Sequence, residues 1–166
     1  MRGTLGIHSD RLATEFELIK VKYIQPSKFV LRKDMGDISE LIQSIAQSGL
    51  LQPILVRPVE RRFEVIAGHR RFEACKRLGF SRILCLVREM SDSEAFEAAL
   101  VENVQRETLN PIEEAEAFKK YVEEYGWGGV TDLARKIGKS EQYVSHRLLL
   151  LTLPPEVRDI VGRRLV

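Results

Sequence analysis

Hydrophobic and polar positions divide the chain into a half of mixed periodicity and a half that is helical throughout. Residues 17–24 are rich in β-branched side chains, partly alternating, and closed by Pro26, which predicts a first strand. Asp37 and Glu40 are spaced as a capping box, and Ile38, Leu41, Ile42 and Ile45 follow at helical intervals until Gly49, predicting a helix over residues 37–48. Two short apolar runs, residues 53–58 and 62–66, are joined by a charged turn and predict a hairpin. Gly68 breaks the second run. Phe72, Ala74, Cys75 and Leu78 then share one helical face, Gly79 is placed as a C-terminal cap, and residues 83–87 predict another strand.

Beyond residue 90 every signal is helical. Ser91 with Glu94 and Asn110 with Glu113 are capping boxes, the latter with Pro111 at the favoured first position, and residues 126–129 (Gly-Trp-Gly-Gly) interrupt the helices before the last ones. The expected fold class is therefore α+β. A flexible arm covers residues 1–14, a small mixed α/β domain residues 15–90, and a helical domain residues 91–166, with the seam near residues 90–93.

Residues 131–151 carry a pattern of their own. Leu133, Ala134, Ile137, Val144 and Leu148 are apolar, Gly138 lies four after Ala134, and Ser140 can cap a second helix. This is helix-turn-helix spacing, in which a small residue admits close approach and glycine makes the turn. Lys139, Ser140, Glu141, Gln142, Ser145, His146 and Arg147 are expected to face outward, and with Tyr143 they supply the candidate DNA-binding residues. From Trp127 onward there are seven Lys or Arg against four Asp or Glu, so this segment is more basic than the whole chain, whose net charge is only +2. A plain helical hairpin is the competing reading.

The 166 residues, 44% hydrophobic and 30% charged, suffice for one large or two small domains with a real core. Cys75 and Cys85 lack CxxC spacing and fall on apolar faces, which predicts buried reduced thiols and a cytoplasmic protein. No apolar run reaches the roughly 18 residues of a membrane helix, and the first residues lack a signal-peptide core.

Two strings carry candidate polyphosphate chemistry. In residues 68–71 (Gly-His-Arg-Arg) a strand runs through glycine into a helix, whose free N–H groups and dipole favour an anion. Arg70 and Arg71 add planar bidentate donors. A simple turn flanked by solvated arginines explains the same string. In residues 102–106 (Glu-Asn-Val-Gln-Arg), Glu102 and Asn103 set a carboxylate beside a carboxamide, a pairing that can hold Mg²⁺ through oxygen and orient a water. A helix C-terminal turn with Asn103 as cap is the alternative.

Residues 49–58 (Gly-Leu-Leu-Gln-Pro-Ile-Leu-Val-Arg-Pro), 68–71 and 102–106, in this order and followed by a helix-turn-helix, resemble the ParB family of DNA-partition proteins over about residues 18–158. The resemblance implies a ParB/sulfiredoxin-like α/β domain, binding of double-stranded DNA at a centromere-like site, CTP with Mg²⁺ as cofactors, self-association into a clamp dimer, and a Walker-type ATPase partner. A nucleoid- or plasmid-associated location follows from it. It further implies that Gly68, Arg70 and Arg71 grip the triphosphate, Asn103 helps hold Mg²⁺, and Glu102 supports hydrolysis. Gln52 and Pro53 belong to the other nucleotide-binding stretch, and His69 and Arg106 are counted with the nucleotide contacts. His69 stands where the family usually has glutamate, so CTP binding is expected ahead of turnover, with at most a weak CTPase. The family's Asn-Pro-Tyr-Gln-Pro-Arg run is here Ser27, Lys28, Phe29, Val30, Leu31 and Arg32, keeping an aromatic and the arginine. A DNA-binding transcription or nucleoid-occlusion regulator, and a nucleotide-dependent small-molecule kinase on the same α/β fold, are the rival functions.

Overall fold

The computed structural model describes residues 14–31 and 35–163. All but one residue of the expected arm, together with Arg32 and Arg164, therefore lie outside the described residues.

Five strands form one sheet in the order β1-β5-β3-β4-β2. They are β1 (Glu15–Lys20), β2 (Ile24–Gln25), β3 (Ile54–Val59), β4 (Arg62–Ala67) and β5 (Arg82–Val87). The single strand expected at residues 17–24 is in fact two. β1 runs antiparallel to β5 at one edge, a 3-10 turn (Val21–Tyr23) follows, and β2 pairs parallel with β4 at the other edge. A flat five-stranded sheet would hold those edges ~19 Å apart at ~4.8 Å per strand. A 3-10 turn of three residues advances only ~2 Å per residue. The sheet must therefore curl, and this short link fixes the curl. The expected hairpin is present, with β3 antiparallel to β4.

The two faces of the sheet bury different cores. Ile19, Ile54, Val56, Val65, Ile83 and Cys85 point to one face, against Ile45 of α1 (Ser39–Ser48) and Phe72, Ala74 and Cys75 of α2 (His69–Arg77). Ile66 and Leu55 point to the other, where α3 (Asp92–Gln105) lies against β4 and contributes Phe96 and Leu100. Both cysteines are free and buried, as expected, and burial pushes the Cys85 thiol up to about 12.

The capping signals fared unevenly. At Ser91 and Asn110 both reciprocal bonds of the capping box form, opening α3 and α4 (Pro111–Lys119). The expected box at Asp37 does not form. Asp37 Oδ1 instead accepts from the Ser39 N–H at 2.9 Å and from its hydroxyl at 2.6 Å, so α1 starts two residues late, behind Ile38. After α4 the chain makes one π-helical turn (Lys120–Glu124), a loop, and then the helix-turn-helix: α5 (Val130–Ile137) and α6 (Glu141–Leu149). Gly138 turns between them at φ +69°, and the Ser140 hydroxyl caps α6 by accepting from the Tyr143 N–H. A 3-10 turn (Leu150–Thr152) leads to α7 (Pro155–Arg163), which rests on α4. No helix among the described residues is long and apolar enough to cross a membrane.

Candidate functional site

Gly68 is where β4 becomes α2, at φ +97°. The positive φ favours glycine there, and a Cβ would also lie 3.1 Å from Arg71 Nη2, so the guanidinium folded over it would have to shift slightly. Arg71 spends its donors inward, Nη1 giving hydrogen bonds to the carbonyls of Pro53 at 2.7 Å and Gln52 at 3.1 Å. Burial is the largest influence on its pKa, which it lowers. Arg71 thus ties the Gln52 and Pro53 loop to the start of α2. Arg70 is exposed and gives one Nη2 hydrogen bond, to the Asp37 carbonyl at 2.7 Å.

These residues line a cavity of about 340 Å³ whose opposite wall is the last turn of α3. Glu102 sits there with Arg106 one turn on, 3.4 Å from its carboxylate. Asn103 is an interior residue of α3, since Arg106 is the cap. Its Nδ2 donates to the Ala99 carbonyl at 2.7 Å and its Oδ1 accepts from the Thr108 hydroxyl at 2.7 Å. Gln52, Gly68, His69, Arg70, Arg71, Glu102, Asn103 and Arg106 all face this one space, and Pro53 reaches it through Arg71. Thr108 and the apolar lining residues Phe29, Val30, Leu31, Met35, Leu41 and Ile66 were not among the residues expected at the site. Their only signal was the placement of residues 29–31 in the altered Asn-Pro-Tyr-Gln-Pro-Arg run.

The lining suits a ligand that carries both anionic charge and apolar surface. Among the described residues no group of three or more His, Cys, Asp or Glu is arranged to hold a metal by itself. Mg²⁺ needs only one or two protein oxygens when phosphates supply the others, which is what Glu102 and Asn103 offer.

His69 Nε2 is buried without a hydrogen-bond partner. Burial, the largest influence, holds the imidazole below its ordinary value of 6.5, against an opposing pull from Glu64 and from a hydrogen bond with the Val65 backbone. The folded protein resists a proton that the unfolded chain accepts. Stability from this group is therefore complete above pH 6.5 and is lost as pH falls below it. Thermal melts should fall more steeply below pH 6.5 for the native chain than for His69→Gln; parallel curves would contradict this.

At the helix-turn-helix, Lys139, Ser140, Glu141, Gln142, Ser145 and His146 are exposed as expected. Two candidates turn inward instead. The Tyr143 hydroxyl donates to Glu114 Oε2 at 2.7 Å, and Arg147 Nε donates to the same oxygen at 2.6 Å. Glu114 of α4 is buried, and a buried carboxylate is stable only with partners, so it draws both side chains off the outer face. The Arg147 guanidinium lies over the Tyr143 ring, 4.8 Å from its centroid.

Two protein-family models match the chain: the ParB N-terminal domain over residues 7–104 and the ParB HTH domain over residues 107–166. Stage 0 sporulation protein J of Bacillus subtilis is 37% identical over 148 residues, covering 88% of this chain and 52% of that protein. The chain thus spans about half the length of the curated relatives it matches. Among solved structures, the C-terminally truncated chromosome-partitioning protein ParB from Caulobacter crescentus, complexed to the centromeric parS site, is similar with a TM-score of 0.63. It shares 32% identity, with 86% of this chain and 75% of that chain covered. The same truncated protein complexed with CTP-gamma-S gives a TM-score of 0.51 and 34% identity, covering 89% of this chain and 84% of that one.

Proposed function

Because this chain belongs to the ParB family, we propose that it is a centromere-site DNA-binding protein of chromosome or plasmid partition, switched by CTP as a DNA clamp. The observation that carries this reading is that residues 68–71 and Glu102, Asn103 and Arg106, separated in sequence and held at the start of α2 and the end of α3, line one cavity. The complexes of the Caulobacter crescentus relative with parS and with CTP-gamma-S support both halves of it.

In this reading the α2 N-terminus and Arg70 hold the triphosphate, with Arg106 near it. Arg71 keeps the Gln52 and Pro53 loop in place, and His69 presents an uncharged imidazole to the site. Asn103 and Glu102 are the oxygen ligands offered to Mg²⁺, which neutralises phosphate charge when bound. Asn103 Oδ1 accepts from the Thr108 hydroxyl with one lone pair and keeps the other for this role. Glu102, held by Arg106, is the carboxylate available for hydrolysis, and with His69 in its string the site is a binder first and a weak CTPase at most. The exposed start of α6, with Lys139, Ser140, Gln142, Ser145 and His146, reads the DNA. Arg147 and Tyr143 serve it by fixing α6 on α4. A nucleotide lying between α2 and α3 favours one arrangement of the two domains by its differential affinity, and closure joins two copies into the clamp. A Walker-type ATPase is the partner expected to move the loaded DNA, placing the protein in the cytoplasm on nucleoid or plasmid.

The DNA half is tested with a duplex selected from a random pool by the full chain. Gln142→Ala with His146→Ala should weaken binding to that duplex by roughly tenfold or more, with CTP affinity and binding to random duplex unchanged. Selection that yields no preferred duplex would refute the reading.

A further inference from the structure

Phe29 belongs to two neighbourhoods at once. It lines the cavity, and it is also part of an aromatic cluster inside the helical domain. Its ring meets Phe96 edge-on at 5.6 Å, Tyr125 at 6.1 Å and Trp127 at 6.0 Å, with interplanar angles of 81° to 89°. Trp127 in turn stacks on Tyr125 at 4.3 Å. It lies three residues before α5, the first helix of the helix-turn-helix.

The backbone leading to Phe29 is pinned. The Lys28 N–H donates to Glu64 Oε1, and the Lys28 ammonium pairs with Asp92, both at 2.6 Å. The Phe29 N–H donates to the Ser27 hydroxyl at 2.9 Å. With its main chain held on that side, the ring responds to a change in the cavity mainly by turning or tilting in place. Edge-to-face pairs are directional, and a close-packed interior passes such a change on instead of absorbing it. The contact facing the helix-turn-helix is Trp127.

We propose that Phe29 is the side chain through which occupancy of the cavity is felt at the start of the helix-turn-helix, by way of Trp127. This rests on the nucleotide reading above and adds to it the route by which the bound nucleotide changes DNA affinity.

Trp127 is the only tryptophan of the chain, so its emission reports on this contact. Titration of the full chain with CTP and Mg²⁺ should give a saturable change in Trp127 emission whose midpoint matches the calorimetric dissociation constant. In the native chain CTP should alter affinity for the selected duplex by about fivefold or more. Trp127→Leu should bind CTP, and duplex without CTP, within about threefold of the native values, while the CTP-induced factor falls towards one. If Trp127→Leu does not fold, Trp127→Met, which keeps apolar bulk but removes the ring that meets Phe29, makes the same test on the CTP-induced factor. Calorimetric CTP binding with no change in emission, or an undiminished factor in a folded variant, overturns the coupling route alone. Absence of CTP binding to the native chain overturns the nucleotide reading and this route with it.

Discussion

Arg57→Ala should destabilise the chain by about 3–5 kcal/mol, the range for removing one partner of a buried ion pair. Arg57 and Glu64 face each other across β3 and β4, each side chain 3% exposed, with Arg57 Nη2 2.6 Å and Nε 2.7 Å from Glu64 Oε2. Nη2 also reaches Asp92 at 2.7 Å, and Nη1 donates to the Met90 carbonyl at 3.2 Å. The one guanidinium thus ties the sheet to the first residue of α3. Asp92 is half-exposed and contributes little by itself, so nearly all of the expected cost is the Glu64 carboxylate left in the interior with, among the described residues, only the Lys28 N–H to bond. Arg57→Met combined with Glu64→Leu should recover most of the loss, because no charge is then buried, less the bond Lys28 forfeits. Denaturant unfolding of the three proteins measures this. A loss below about 1 kcal/mol for Arg57→Ala would show that water reaches Glu64.

Arg70→Ala should weaken CTP binding by roughly 100-fold, the order expected for charge-assisted hydrogen bonds to phosphate, while leaving the fold and specific DNA binding in place. The contrast with its neighbour gives the reason. Arg71 is committed to the Pro53 and Gln52 carbonyls, so its removal loosens the site before any ligand arrives. Arg70 is exposed and lines the cavity with, among the described residues, a single hydrogen bond to the Asp37 carbonyl, so its removal costs the empty protein little and the loaded protein much. Equal loss of nucleotide and DNA binding in Arg70→Ala would mean that the two sites are not separate.

What the sequence disclosed was what local chemistry determines. Gly68 ahead of His69, the boxes at Ser91 and Asn110, and Gly138 followed by Ser140 each announce an element end within a few residues, and each is where it was expected. The break after Lys20 was hidden because a three-residue 3-10 turn and a two-residue strand are too short to show a period. The Asp37 and Glu40 spacing misled because the Ser39 hydroxyl and N–H compete for the same carboxylate. Arg147 and Tyr143 sit on a helix whose own periodicity says nothing of a buried Glu114 twenty-nine and thirty-three residues earlier. Long-range placement of that kind also hid Phe29 as a wall of the cavity, whereas Thr108, only five residues after Asn103, was hidden because it lies past the end of α3, where no helical period relates the two. The candidate site was legible as residue types and illegible as bonds.

In the proposed function, residues 68–71 with Glu102, Asn103 and Arg106 form a nucleotide site that acts on DNA binding. Calorimetric titration of the full chain with CTP, and separately with ATP, in Mg²⁺ and with or without the selected duplex, tests it most directly. Saturable binding of CTP, much weaker binding of ATP, a CTP affinity that changes when the duplex is present, and loss of the CTP signal in Arg70→Ala are expected. Absence of binding by either nucleotide, with duplex binding intact, would contradict it and leave the chain a DNA-binding protein without a switch.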